Sequence, residues 1–277
     1  MPTNPMLDHF GRDASSLRDK RLWLFDMDGT IYEGERIFEG TLDILATIKA
    51  QGGSYVFITN NSSKNVGEYV AKVGRMGIEA TRDDFFTSVE ATALYLNEHH
   101  PGERVYVQGT KALVEELARL GIDVTPDEDP NATVVLIGFD TELTMEKLRS
   151  TCRMLNHDVA YLGCNPDLVC PTEFGFEPDC GSMAISLKNA TGKFPHFIGK
   201  PEPTMVDIVR QKYGCSAEET VVVGDRLYTD IASGRNAGVD TICVLSGEAT
   251  LDDLATTEFV PTYVFDSVVE VNALLNA

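Results

Sequence analysis

Two aspartates, Asp26 and Asp28, stand one residue apart after the short apolar run Leu22 to Phe25, and Gly29 lets the chain turn sharply so that both carboxylates face one small volume. The segment Gly224-Asp225-Arg226-Leu227-Tyr228-Thr229-Asp230 follows a second such run and supplies Asp225, then Asp230 about where the next helix should begin. Four carboxylates brought into one crevice repel and are driven toward protonation unless a cation sits among them. A hard divalent ion with oxygen ligands, Mg²⁺, answers that requirement while keeping several waters. The chemistry that needs such a group is attack on a phosphate ester. The dianion resists an anionic nucleophile until metal and cationic side chains neutralise it. Asp26 would attack phosphorus and form an aspartyl phosphate, and Asp28 would protonate the departing alkoxide and later deprotonate water. Thr59, Asn60 and Asn61, after the run Tyr55 to Ile58, offer hydroxyl and backbone donors to phosphoryl oxygens, although they also suit the cap of a following helix. Lys200, in Gly199-Lys200-Pro201-Glu202-Pro203, is the expected cation, and Pro201 biases it to an extended backbone.

These residues need a scaffold that gathers them. Short β-branched or aromatic runs (22–25, 55–59, 105–107, 133–137, 220–223 and 241–245) alternate with helix-like segments near 41–50, 64–76, 89–98, 111–120, 144–156, 203–213 and 229–237. That alternation predicts an α/β fold around a mainly parallel sheet. In such a sheet every strand's carboxyl edge faces the same way, so the polar clusters after 22–25, 55–59 and 220–223 should converge on one crevice. Between Thr59 and Lys200 lie 140 residues, far more than one crossover requires. An inserted α/β domain is expected at 85–187, acting as a cap over the carboxyl edge, with the core formed by 20–84 and 188–277. Residues 1–19 read as a polar lead-in, partly disordered or packed on the surface.

Composition narrows the partners. With 23 Lys plus Arg against 43 Asp plus Glu, the formal charge is −20, so nucleic acid and anionic lipid surfaces are excluded as partners. No apolar run approaches the length needed to cross a bilayer, and the N-terminus lacks the apolar region of a signal peptide; a cytoplasmic location is expected. The six cysteines are scattered without a Cys-x-x-Cys pair and read as reduced thiols. His157 and His196 have no partner at metal spacing. Asn165-Pro166-Asp167 is a turn signal that could also reach substrate.

The segments FDMDGT, ITNNSS, GKPEP and GDRLYTDI, in that order and each at a strand end, resemble the four motifs of the haloacid dehalogenase (HAD) superfamily of aspartate-nucleophile phosphatases. The phrases NPD (165–167), PTEFGFEPDCGSMAISLKNATGK (171–193) and GRNAGVDTICVLSGEAT are similar to its NagD and 4-nitrophenylphosphatase branch, and the likeness extends over residues 20–277. The resemblance implies a Rossmann-like HAD core with an inserted α/β cap. It makes Asp26 the nucleophile, Asp28 the acid/base, and Thr59 and Lys200 phosphate binders. Asp26, the Asp28 carbonyl and Asp225 would be Mg²⁺ ligands, with Asp230 supporting the metal's water shell. Arg226 departs from the commoner Asn and receives no catalytic role. The expected activity is hydrolysis of small cytosolic phosphomonoesters such as sugar phosphates or nucleoside monophosphates, with 4-nitrophenyl phosphate as an artificial substrate and a homodimer through the cap. Two rivals remain at this point: a phospho-acceptor signalling module, disfavoured by Asp28 and the long insertion, and phosphomutase or dehalogenase chemistry within the superfamily.

Overall fold

A six-stranded sheet carries the motifs. In a computed structural model describing residues 6–172 and 174–277, its strands lie in the order Tyr263–Phe265, Asp240–Val244, Thr220–Gly224, Leu22–Phe25, Ser54–Thr59 and Phe85–Thr87. The pairings among the first five are all parallel. The three central strands, LWLF, SYVFIT and TVVVG, are buried along almost their whole length. That accounts for their continuous apolar character, since a parallel sheet is covered by helices on both faces. Register then sets the chemistry: Phe25 pairs with Phe57 on one side and Val223 on the other, so Asp26, Thr59 and Asp225 emerge at one edge. The backbone N–H of Asp26 still donates to the Val223 carbonyl at 2.8 Å, which anchors it to the sheet.

Two compact units divide the chain. One holds the residues up to Thr59, Val70–Phe86 and Lys200–Ala277, and the other holds Asn60–Tyr69 and Thr87–Gly199. The second unit has its own parallel sheet, in the order His196–Phe197, Ala160–Gly163, Val134–Ile137, Val105–Gln108 and Val124–Thr125. Helices Lys111–Arg119 and Met145–Leu155 start where Thr110 and Thr144 accept the backbone N–H groups of Leu113 and Lys147. An antiparallel hairpin, Val169–Thr172 with Gly175–Pro178, precedes helix Cys180–Thr191. The apolar periodicity predicts neither the hairpin nor this helix. The strands of the hairpin are half-buried or exposed, with no buried residue, and the helix opens on small residues, Gly181 and Ser182, with Asp179 bonding the Cys180 N–H.

The described part of the polar N-terminal segment packs against the end of the chain. Ala14 and Leu17 are fully buried. The Asp8 carboxylate accepts from the backbone N–H groups of Phe10, Arg12 and Val264 at 3.0, 2.8 and 3.2 Å and from Arg12 Nε at 2.7 Å. His9 N–H donates to the Val264 carbonyl at 2.7 Å, completing the attachment to strand Tyr263–Phe265. Asp8→Ala leaves these donors unpaired and should destabilise the protein by about 1–3 kcal/mol in urea unfolding with an unchanged m-value; a loss below about 0.5 kcal/mol would contradict this attachment.

Candidate active site

Three carboxylates and one ammonium meet at the carboxyl edge of the six-stranded sheet. Oxygens of Asp26, Asp225 and Asp230 all lie within 4.8 Å of one another. Lys200 Nζ, buried beneath them, donates to Asp26 Oδ1 and Asp230 Oδ1 at 2.6 Å each and to the Ile58 carbonyl at 3.4 Å. Asp225 is held by Thr30 Oγ1, donating to Oδ1 at 3.0 Å, and by the Glu248 N–H, donating to Oδ2 at 2.8 Å. It is also wedged between two glycines. A Cβ at Gly29 would lie 2.3 Å from Asp225 Oδ2 and one at Gly247 would lie 2.1 Å from it, and Gly29 has φ +91°, a left-handed conformation that favours glycine.

Asp230 reaches the cluster by an unexpected local route. Instead of one helix from 229, residues Leu227–Ile231 form a π-helical turn followed by helix Ala232–Asn236. The widened turn lets Asp230 Oδ2 accept the Arg226 N–H at 3.1 Å while Oδ1 faces Lys200. Such turns occur often at functional sites.

Asp28 occupies a different environment. Its side chain is 44% exposed, the Gly34 N–H bonds it, and Lys72 Nζ stands 3.9 Å from Oδ2 while also lying 3.9 Å from the Tyr32 ring centre. Lys72 is a second cation that no motif announces, because it sits on helix Val66–Arg75 at an ordinary amphipathic position. Thr59 ends its strand and is buried. Asn60 and Asn61 belong to the other unit. The Asn61 side-chain carbonyl accepts from Ser63 N and Oγ at 2.9 and 2.7 Å, so it shapes its own loop. Arg226 pairs with Glu248 at 2.9 Å.

The electrostatics follow from this crowding. Burial, then the charges of Asp230 and Asp225, outweigh Lys200 and raise the Asp26 pKa from 3.8 to about 8. Burial and Asp230 raise Asp225 to about 6, against the Glu248 N–H, Arg226 and Thr30. Burial also raises Asp28, opposed by Lys72, the Gly34 N–H and Arg226. Burial works against the Lys200 charge, but Asp230 and Asp26 prevail and hold it above the ordinary lysine value. A single ammonium therefore leaves the three acids undercompensated. Hard oxygen donors with this surplus of negative charge fit a divalent ion such as Mg²⁺.

The model of haloacid dehalogenase-like hydrolases matches residues 23–123, and a second one, of HAD-hydrolase-like proteins, matches 197–271. An acid sugar phosphatase of Staphylococcus aureus is 34% identical over 94% of this chain and 99% of its own. The chain belongs to the HAD family. Among solved structures, the 4-nitrophenylphosphatase of Thermotoga maritima superposes with a TM-score of 0.89 at 37% identity, covering 94% of this chain and 99% of the other. A glycerol phosphate phosphatase of Mycobacterium tuberculosis, solved in complex with magnesium, gives 0.86 at 30% identity over 92% and 77%. This HAD protein is thus a NagD-like phosphatase acting on phosphoesters, with a Rossmann-like core and an inserted α/β domain.

The raised carboxylates fix a pH signature. In this phosphatase without metal, folded Asp26 and Asp225 bind protons that the unfolded chain, with aspartates near 3.8, has released. Their stabilising contribution is full below about pH 4 and is lost as pH rises toward about 8. Protons and metal compete for the same oxygens, so the rise in Tm on adding Mg²⁺ should be larger at about pH 8 than at about pH 5. Asp225→Asn should flatten the difference. An equal Mg²⁺ effect at both pH values in the wild type would refute the assignment.

Proposed function

We propose that this phosphatase is a Mg²⁺-dependent hydrolase of small cytosolic phosphomonoesters, sugar phosphates first among them, working through an aspartyl phosphate on Asp26. The observation that carries the reading is the 2.6 Å pairing of Asp26 with Lys200 inside the cluster shared with Asp225 and Asp230. Asp26, Asp225 and the Asp28 carbonyl would hold the ion, with Asp230 supporting its water shell. When bound, the ion neutralises charge on the phosphoryl oxygens and on the acids.

The chain's own residues do the rest. Lys200 fixes the Asp26 carboxylate and supplies positive charge to the incoming phosphoryl group. One Asp26 oxygen forms a bond to phosphorus as the ester oxygen leaves, and that oxygen takes its proton from Asp28. Asp28 suits the task because it is the more exposed acid of the pair and its raised pKa keeps the proton to higher pH. Water then attacks phosphorus, passes a proton to Asp28, and the bond between phosphorus and Asp26 breaks. Thr59 and the main chain at Asn60 and Asn61 would donate to the phosphoryl oxygens.

Sugar phosphates are favoured by the acid sugar phosphatase relatives, and 4-nitrophenyl phosphate is the corresponding test substrate. A cytoplasmic setting fits six free cysteines. The inserted unit would act as the cap that selects the leaving group. Exposed Leu168, just before its hairpin, and Phe174 and Phe176 within it would give a homodimer an apolar surface.

Phosphate release across a panel of phosphoesters tests the reading. Mg²⁺ should support turnover and chelation should abolish it. Asp26→Asn should lower kcat by at least about 10³-fold in a folded protein, and Asp28→Asn by about 10²–10⁴-fold. Retained turnover in Asp26→Asn would remove the proposed nucleophile.

A further inference from the structure

Arg226 and Glu248 take no part in the reaction above, yet each holds an acid of the catalytic edge with its main chain. Both belong to the unit that contains Asp26, Asp225 and Asp230. The Arg226 N–H donates to Asp230 Oδ2 at 3.1 Å, and the Glu248 N–H donates to Asp225 Oδ2 at 2.8 Å. The two side chains then meet each other. Arg226 Nε stands 2.9 Å from Glu248 Oε2, with the arginine side chain 15% and the glutamate side chain 37% exposed. A closed ring results: it runs from the Asp225 carboxylate through the Glu248 main chain and side chain to the Arg226 guanidinium, and back along the chain to Asp225.

The loop that carries Glu248 follows strand Asp240–Val244 and is drawn onto the acids from there. The Ala249 N–H donates to the Asp225 carbonyl at 3.0 Å, and Ser246 Oγ donates to the Gly29 carbonyl at 2.8 Å. These bonds hold backbone to backbone or loop to loop, whereas the Glu248 N–H reaches the carboxylate itself. A charge-assisted pair beginning one residue from Asp225 keeps that N–H in register. Arg226 also stands where strand Thr220–Gly224 gives way to the π-helical turn, so the same pair steadies the N–H that meets Asp230.

We propose that the Arg226–Glu248 ion pair is a clasp for the metal site: it keeps two main-chain N–H groups on Asp225 and Asp230 and so fixes the direction in which those carboxylates meet a divalent ion. Arg226 and Glu248 are positioning residues, acting through the acids they brace. This rests on the reading of Asp225 as a metal ligand. Charge alone would act differently. The Arg226 charge repels a cation and the Glu248 charge attracts one, so removing the first would tighten binding, removing the second would weaken it, and removing both would nearly cancel. A clasp is lost whichever half is removed.

The test measures Mg²⁺ affinity of the full chain without substrate, by calorimetry and by the rise in Tm with Mg²⁺ concentration, at a single pH. The binding compared is the part that Asp225→Asn removes. Arg226→Met and Glu248→Ala should each weaken it by about 10–100-fold in a folded protein. The double variant Arg226→Met/Glu248→Ala should stay within about threefold of the worse single one. Glu248→Gln, whose amide oxygen can still accept from Arg226, should lose less than Glu248→Ala. If Arg226→Met does not fold, the two Glu248 variants carry the comparison, and equal losses in them would overturn the clasp. Tighter binding in Arg226→Met, or wild-type affinity in the double variant or in Glu248→Ala, would overturn it as well. A wild-type chain that binds no Mg²⁺, or that binds it no better than Asp225→Asn does, would instead defeat the metal site on which the proposal depends.

Discussion

A buried ammonium shared by two aspartates is the constraint on which the catalytic edge depends. Lys200 is almost wholly enclosed and bonds Asp26 and Asp230 at equal distance. Taking a lysine out of water is costly unless its charge is matched, and here the surrounding carboxylates exceed it. The excess makes the site attractive to cations, and the same excess raises the acids above their solution behaviour. Stability and reactivity therefore pull in opposite directions at this one spot, as is common where a fold concentrates like charges for a purpose.

Much of this was legible in the residues themselves. Asp26, Thr59 and Asp225 each follow an apolar run, and a parallel sheet has no freedom to send the ends of its strands to different edges. Lys200 could be found because glycine and proline mark its segment as irregular. Asp230 was visible by type, but the π-helical turn that aims it was not, since the pattern 229–237 is compatible with plain helix.

What stayed hidden has physical reasons. Lys72 approaches Asp28 from a helix whose periodicity says only that one face is wet. Asp167 reads as part of a turn, and its pairing with Asn60 spans 107 residues of chain, a separation that no local pattern encodes. The attachment of the N-terminal segment depends on Asp8 bonding Val264 N–H across 256 residues. Helix Cys180–Thr191 buries a mixture of small and large residues, Gly181 and Ala184 beside Met183 and Leu187, and Gly181 lies against the Pro166 carbonyl, so no plain apolar stripe marks it.

The seat of Asp225 has a bearing on how such a site can change over time. Bare main chain at positions 29 and 247 presses on the same oxygen from two directions, leaving no slack into which the carboxylate could swing. Drift toward a larger ion, or toward a different donor at that corner, cannot proceed through one exchanged side chain. A side chain gained at either position would have to be met by a shift of its own loop, so this corner accepts exchange less readily than an open surface loop does.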